Sequence, residues 1–163
     1  MGVRIRAYRA ADWAGVWQIL EPVFREGESY MVDPEISGEE ARRLWTGHSG
    51  SVYVAEEGKA RIVGTYYLKA NQPGPGDHLC NAGFAVHPEA RGRGIARTMG
   101  HHALEEALRQ GYEAMQFNAV VSSNKAAVEL WRSLGFRIVG EVPEAFRSRK
   151  HGRVSIYVMH RFL

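Results

Sequence analysis

The sequence predicts a single α/β domain spanning residues 1–163. Three observations carry that reading. Short apolar strands alternate with amphipathic helical stretches, a glycine-rich turn joins a strand to a helix in mid-chain, and no repeat, low-complexity tract or linker interrupts the pattern. A chain of 163 residues is long enough to bury one hydrophobic core.

Val3-Arg4-Ile5-Arg6-Ala7-Tyr8 alternates as a half-buried strand does. From Ala11 to about Arg25, Trp13, Val16, Trp17, Leu20 and Phe24 fall on one helical stripe. Ser37-Gly38-Glu39-Glu40 has the capping-box pattern and opens a short helix ending near Trp45. A polar and aromatic loop, residues 26–34, separates these two helices. Ser51–Glu56 and Ala60–Lys69 flank Glu57-Gly58-Lys59 as the arms of a β-hairpin. Pro73, Gly74, Pro75 and Gly76 make residues 71–77 a loop.

Leu79–Val86 reads as a strand leading into the glycine-rich turn. A helix follows from Gly94 to about Gln110, with Ile95, Met99, Ala103, Leu104 and Leu108 inward and Gly111 as its stop. Ala114–Val121 is the next strand. Ser122-Ser123-Asn124 then caps a helix with the stripe Ala127, Leu130, Trp131 and Leu134, ended by Gly135. Phe136–Gly140 and Val154–Phe162 close the chain, joined by a basic-aromatic loop over residues 144–152.

Composition narrows the function classes. Lys and Arg number 21 against 18 Asp and Glu, a net charge of +3, with 45% hydrophobic residues. Basic residues gather at 91–97 and 147–153, but no basic helix face interleaved with aromatics appears. An anionic small molecule is therefore favoured over nucleic acid. One cysteine, Cys80, leaves no internal disulfide and fits a reducing, cytoplasmic setting. It has no recognisable partner base and reads as a small strand residue. Early arginines at 4, 6 and 9 argue against a signal peptide, and no apolar run reaches the length of a membrane span. No metal is expected, because no histidine or cysteine cluster has ligand spacing.

The segment Ala85-Val86-His87-Pro88-Glu89-Ala90-Arg91-Gly92-Arg93-Gly94-Ile95-Ala96-Arg97 is the most informative in the chain. Its loop delivers unpaired backbone N–H groups to the positive end of a helix, which is a phosphate site. Gly92 and Gly94 allow close approach of a bulky anion, and Arg91, Arg93 and Arg97 add charge. The spacing is that of neither a P-loop nor a dinucleotide fingerprint.

Read together, Arg91-x-x-Gly94-x-Ala96 and Asn124-x-x-Ala127-Val128-x-Leu130-Trp131-x-x-Leu134-Gly135-Phe136 resemble the two signatures of the GNAT superfamily of acetyl-CoA-dependent N-acetyltransferases. The resemblance implies a mixed, mostly antiparallel sheet of six or seven strands with about four helices and a V-shaped splay between the strands at 79–86 and 114–121. It implies pantetheine in that gap on the backbone of Phe84, Ala85 and Val86, with the pyrophosphate on the amides of Arg91, Gly92, Arg93, Gly94, Ile95, Ala96 and Arg97. Asn124 reads both as an N-cap and, by the resemblance, as a contact for the pantetheine arm or the thiol end.

Gly64–Leu68, Asn71–Gly74, Met115–Asn118 and the loop at Glu144–Arg147 are similar to the branch that includes the azetidine-2-carboxylate N-acetyltransferases. That similarity implies a small amine acceptor, an amino acid or analogue, with Asn118 on its carboxylate; Tyr30 and Phe146 are the loop residues expected to line an enclosed acceptor pocket. Acetyl transfer needs a neutral amine, a polarised thioester carbonyl and a stabilised leaving thiolate. Backbone N–H groups at Phe84 to Val86 would supply the second. The usual acid of the family is a tyrosine at the position of Trp131; either a water, Tyr66, Tyr67 or Tyr157 serves instead, or the dipole of the helix beginning near Asn124 helps the thiolate leave, and Asn118 and Asn124 are the candidate catalytic residues. Glu28, Tyr30 and His78 are the base candidates, and a water chain is the alternative. A protein N-terminus or lysine as acceptor, or a non-catalytic acyl-CoA-binding module, stays open. The terminal strands are candidates for a homodimer contact.

Overall fold

The alternation at the N-terminus becomes a short edge strand, β1 (Arg4–Ala7), in a computed structural model that describes residues 2–163. It pairs with β2 (Ser51–Glu57), which pairs with β3 (Arg61–Ala70) and then β4 (Leu79–Val86), all antiparallel. Beyond β4 lie β5 (Ala114–Val121), β7 (Gly152–Phe162) and β6 (Arg137–Ser148), giving one seven-stranded sheet in the order β1-β2-β3-β4-β5-β7-β6. β4 and β5 form the parallel pair in this sheet.

Helices α1 (Trp13–Glu26) and α2 (Gly38–Thr46) cover one face. Val16, Ile19, Leu20, Val23 and Phe24 of α1 and Ala41 and Trp45 of α2 pack on Val54 and Ala85. The capping box forms as the sequence indicates: Ser37 Oγ accepts from Glu40 N and Glu40 accepts from Ser37 N. Helices α3 (Ile95–Arg109) and α4 (Lys125–Ser133) cover the other face through Ile95, Met99, Ala103, Leu104, Val128, Trp131 and Leu134. Trp45 is fully buried, and its indole N–H donates to Thr65 Oγ1 at 3.1 Å, so its polar edge is satisfied.

Two expectations need correction. Leu108 is 58% exposed, and Ala107 takes the inward position one residue earlier. The loop expected at 144–152 is mostly strand: a bulge with Glu144 at φ 51° lets β6 resume pairing from Phe146↔Val154 to Ser148↔Gly152. The turn shrinks to residues 149–151, closed by Gly152 at φ 72°. Pro143 is tolerated because β6 lies at the sheet edge.

Pairing of β4 with β5 consists of Leu79↔Ala114 and Cys80↔Met115; beyond these the strands part. Asn81 sits at the vertex, 9% exposed, and its side-chain amide donates to the Gln116 carbonyl at 2.9 Å. A side chain thus replaces the next ladder bond. Asn81→Ala leaves that carbonyl without its donor and should cost about 1–3 kcal/mol. Urea unfolding checks this; an unchanged midpoint would show that Asn81 does not tie the vertex.

Candidate active site

Backbone parity decides which groups face the opening. His87 N donates to Val63 O and Asn71 N to Leu79 O, so the odd-numbered residues of β4 bond to β3. Glu113 N donates to His78 O, which places the even-numbered residues toward β5. Where the strands part, Phe84 and Val86 therefore present backbone N–H and C=O groups to the gap. Ala85, expected to share this duty, instead turns its backbone to Thr65 of β3. The hydroxyl of Tyr30 donates to the Phe84 carbonyl, as the parity requires.

The gap opens into a cavity of about 690 Å³ that passes through the sheet. On the α3/α4 face its walls are Phe84, Phe117, Trp131, Asn124 and Ala127. Trp131 packs on Phe84 and Phe117 at centroid distances of 4.8 and 4.6 Å, making it both core and wall. Asn124 Oδ1 accepts from Ala127 N at 3.4 Å while the residue lines the cavity, so its capping role and its exposure to the gap coexist.

At the far end of β4 stands the glycine turn. His87 Nδ1 accepts from Glu89 N, the ordinary chemistry of a turn. Gly92 and Gly94 have φ of 75° and 77°, a left-handed conformation that other residues adopt at a cost. Nothing lies within 4 Å of where a Cβ would stand on either. Gly94 has no side chain to cap α3, and Thr98 N is the first amide of the helix to reach a carbonyl, that of Gly94. The amides of Ile95, Ala96 and Arg97 are left for an outside acceptor. The arginines are less free than expected. Arg91 pairs with Glu26 at 3.2 Å, Arg93 pairs with Glu57, and Arg97 donates to Ser133 Oγ at 2.9 Å.

On the α1/α2 face the cavity is lined by Glu28, Tyr30, Trp45, Tyr67, Lys69 and Asn118, among others. Tyr30 leans edge-on against Phe24 and Trp45, and burial holds its phenol well above the ordinary tyrosine range. The Tyr67 ring crosses β4 over Gly83, where an added Cβ would meet ring atoms at 2.5 and 2.7 Å. Asn118 stands at a bulge in β5; its amide donates to Asn71 Oδ1 at 2.7 Å and its oxygen accepts from Gln116 at 2.9 Å.

Several expected residues lie elsewhere. Phe146 is buried with Val121 and Ile156, because β6 extends through that position instead of looping to the mouth. Tyr66 is buried toward α3 and bonds to His102 Nδ1 at 2.7 Å. His78 precedes β4 at the closed end of the splay. Tyr157 is absent from the cavity lining. Cys80 is buried, its thiol pushed up to about 12 by desolvation, so it is no nucleophile. Asn81 and Lys69 line the cavity without any local sequence signal marking them. Among the described residues no group of three or more His, Cys, Asp or Glu gathers as a metal site would, and no helix is long and apolar enough to cross a membrane.

The sequence model of the Acetyltransferase (GNAT) family matches residues 13–136. A solved GCN5-related N-acetyltransferase from Kribbella flavida is 41% identical, covers 99% of this chain and 98% of that chain, and superposes with a TM-score of 0.95. A GNAT superfamily phosphinothricin acetyltransferase from Sinorhizobium meliloti, solved with acetyl-CoA, shares the fold. Its TM-score is 0.87 at 23% identity, covering 100% of this chain and 89% of that chain. N-acetyltransferase aca1 of Schizosaccharomyces pombe is 37% identical over 101 residues, 61% of this chain and 48% of its own length. Mycothiol acetyltransferase of Mycolicibacterium vanbaalenii is 26% identical over 140 residues, 80% of this chain and 46% of its own length. The chain thus spans about half the length of these two curated relatives.

Glu28 ties the β6–β7 turn to the loop after α1: it accepts from Ser148 Oγ at 2.6 Å and from Lys150 N at 3.2 Å. The Ser148 hydroxyl chiefly, and then the backbone amides, hold its carboxyl below the ordinary value of 4.5. A depressed folded pKa means that this stabilisation is complete above pH 4.5 and is lost as pH falls through the folded value. Amide-exchange protection at Lys150 should fall over that acidic window, and Glu28→Gln should show the loosened turn already at neutral pH. Unchanged protection in the variant would contradict the tie.

Proposed function

This chain belongs to the acetyltransferase (GNAT) family, and we propose that it transfers an acetyl group from acetyl-CoA to the amine of a small molecule. One observation carries the reading. Free main-chain donors at Phe84 and Val86 run along an open strand edge straight into the uncapped first turn of α3. That continuous row suits a ligand with an amide-bearing arm and a diphosphate.

The residues present fit acetyl-CoA. The open space above Gly92 and Gly94 and the free amides of Ile95, Ala96 and Arg97 would hold the pyrophosphate. Phe84 and Val86 would pair with the pantetheine arm, Asn124 would touch it, and Trp131 would wall it from water. Bound there, acetyl-CoA supplies a thioester as the acetyl donor. The chain's own contribution is position and polarity. A backbone N–H at the splay is a fixed donor for a carbonyl oxygen, and joining two substrates across one slot removes much of the entropic barrier.

Trp131 cannot donate a proton at neutral pH. Tyr30 is a neutral phenol in the slot, and because its one O–H donates to the Phe84 carbonyl it would have to give up that bond to steady developing negative charge. Glu28 stays ionised and offers a negative pole for the incoming amine.

Support for a small acceptor comes from the loops. Glu28 joins the α1–α2 loop to the β6–β7 turn, and Arg149 donates to Arg25 O at 3.0 Å. These contacts hold the β6–β7 turn, whose Lys150 and His151 line the cavity, against the α1–α2 side, which supports a small acceptor over a protein one. The similarity to the azetidine-2-carboxylate branch supports an amino acid or analogue, with Asn118 toward its carboxylate.

Thiol release from acetyl-CoA across a panel of amino acids, analogues and simple amines tests the reading directly; no release with any amine would refute it. Ala96→Glu puts bulk and negative charge into the phosphate cradle. It should abolish acetyl-CoA binding in isothermal titration while leaving the melting temperature nearly unchanged, and unaltered affinity would contradict the cradle.

A further inference from the structure

The layer between β3 and α3 is apolar, yet Tyr66 carries a hydroxyl into it with no exposure to solvent. Among the described residues the one partner of that hydroxyl is His102 Nδ1, at 2.7 Å. A phenol proton left unpaired there would be costly, and desolvation raises the phenol well above its ordinary range. The hydroxyl therefore keeps its proton and donates it, which fixes the imidazole with Nδ1 as acceptor. Phenylalanine would fill the same space with no such requirement, so the hydroxyl serves the bond and not the packing.

Tyr66 is the middle rung of a ladder. Tyr53 of β2, Tyr66 of β3 and Phe84 of β4 stand directly opposite one another in register. Their rings stack at centroid distances of 4.8 and 5.2 Å, with interplanar angles of 16° and 22°. The first two rungs are held from α3. Tyr66 is held by His102, while Tyr53 donates to Glu106 Oε2 at 3.0 Å and accepts from Gln110 Nε2 at 3.2 Å. His102, Glu106 and Gln110 follow at intervals of four, so they form one polar stripe along the helix and its C-cap. The third rung, Phe84, has no hydroxyl. Its ring meets Trp131 and Phe117, and its main chain is part of the open edge of the slot.

One helix thus carries both the free amides at Ile95 to Arg97 and the stripe. His102 lies seven residues after Ile95, about 10 Å along the axis. Building on the acetyl-CoA reading above, we propose that His102 is a positioning residue: through Tyr66 it sets Phe84 at the distance from the first turn of α3 that a ligand engaging both requires. Neither His102 nor Tyr66 lines the cavity, so both act only through Phe84.

Tyr66→Phe keeps the ring stack, removes the hydroxyl and leaves the half-buried His102 to water. Acetyl-CoA affinity by isothermal titration should fall about 3- to 10-fold, with the acetyl-CoA KM raised and kcat held. Adenosine 3′,5′-bisphosphate, which lacks the arm that would meet Phe84, should bind wild type and variant alike. Tyr66→Phe combined with His102→Leu removes both partners, so it should show the same split with a nearly unchanged urea midpoint. His102→Asn, whose amide oxygen can stand where Nδ1 does, should keep the wild-type acetyl-CoA affinity. Undiminished acetyl-CoA affinity in Tyr66→Phe, an equal loss for both nucleotides, or a loss in His102→Asn as large as in the double variant would each overturn the positioning role and leave the acetyltransferase reading standing. A wild-type chain that binds no acetyl-CoA would remove that reading and the positioning role with it.

Discussion

Two residue pairs join β4 to β5, Leu79 with Ala114 and Cys80 with Met115, and the rest of the structure depends on how little that contact is. A parallel pair set into an otherwise antiparallel sheet leaves both strands with an open edge as soon as they diverge. An open edge in the middle of a sheet would normally be a liability, because unpaired backbone groups out of water cost free energy. Here Asn81 absorbs the first of those groups by donating to Gln116, and Tyr30 absorbs another by donating to Phe84. What remains, the polar edge at Phe84 and Val86, is what the site has to offer a ligand.

The divergence also connects two faces with different chemistry. Toward α3 and α4 the gap is walled by Phe84, Phe117 and Trp131 and leads to the amides that open α3. Toward α1 and α2 it meets Glu28, Tyr30, Tyr67, Lys69 and Asn118, a polar and partly charged surface beside the β6–β7 turn that Glu28 ties down. The gap is thus lined by residues from both faces of one sheet. Rigidity is supplied by ordinary packing, since the strands bearing these groups are clamped between two buried clusters.

The parts of this arrangement that were legible in the sequence are the local ones. Ser37 with Glu40, Asn124 before α4, and Gly92 and Gly94 before α3 each announce a backbone geometry within a few residues, and each appears where expected. Parity is different. That Ala85 turns away while Phe84 and Val86 face the gap depends on the register of β3, and no feature of the tripeptide reveals it. Asn81 and Lys69 were invisible for a related reason, because the pairing of β3 with β4 and the carbonyl of Gln116 on β5 bring them to the cavity. Phe146 was misplaced by one bulge: Glu144 in a left-handed conformation lets β6 run on, and a residue expected at a mouth goes into the core.

The central claim is that the main chain at Phe84 and Val86, continued by the first amides of α3, grips acetyl-CoA. Residue-resolved hydrogen exchange with and without acetyl-CoA tests it most directly. The account expects new protection at Phe84, Val86, Ile95, Ala96 and Arg97, with Ala85 already protected through β3 and little changed. Saturating acetyl-CoA that leaves the amides of Phe84 and Val86 exchanging as before would contradict it.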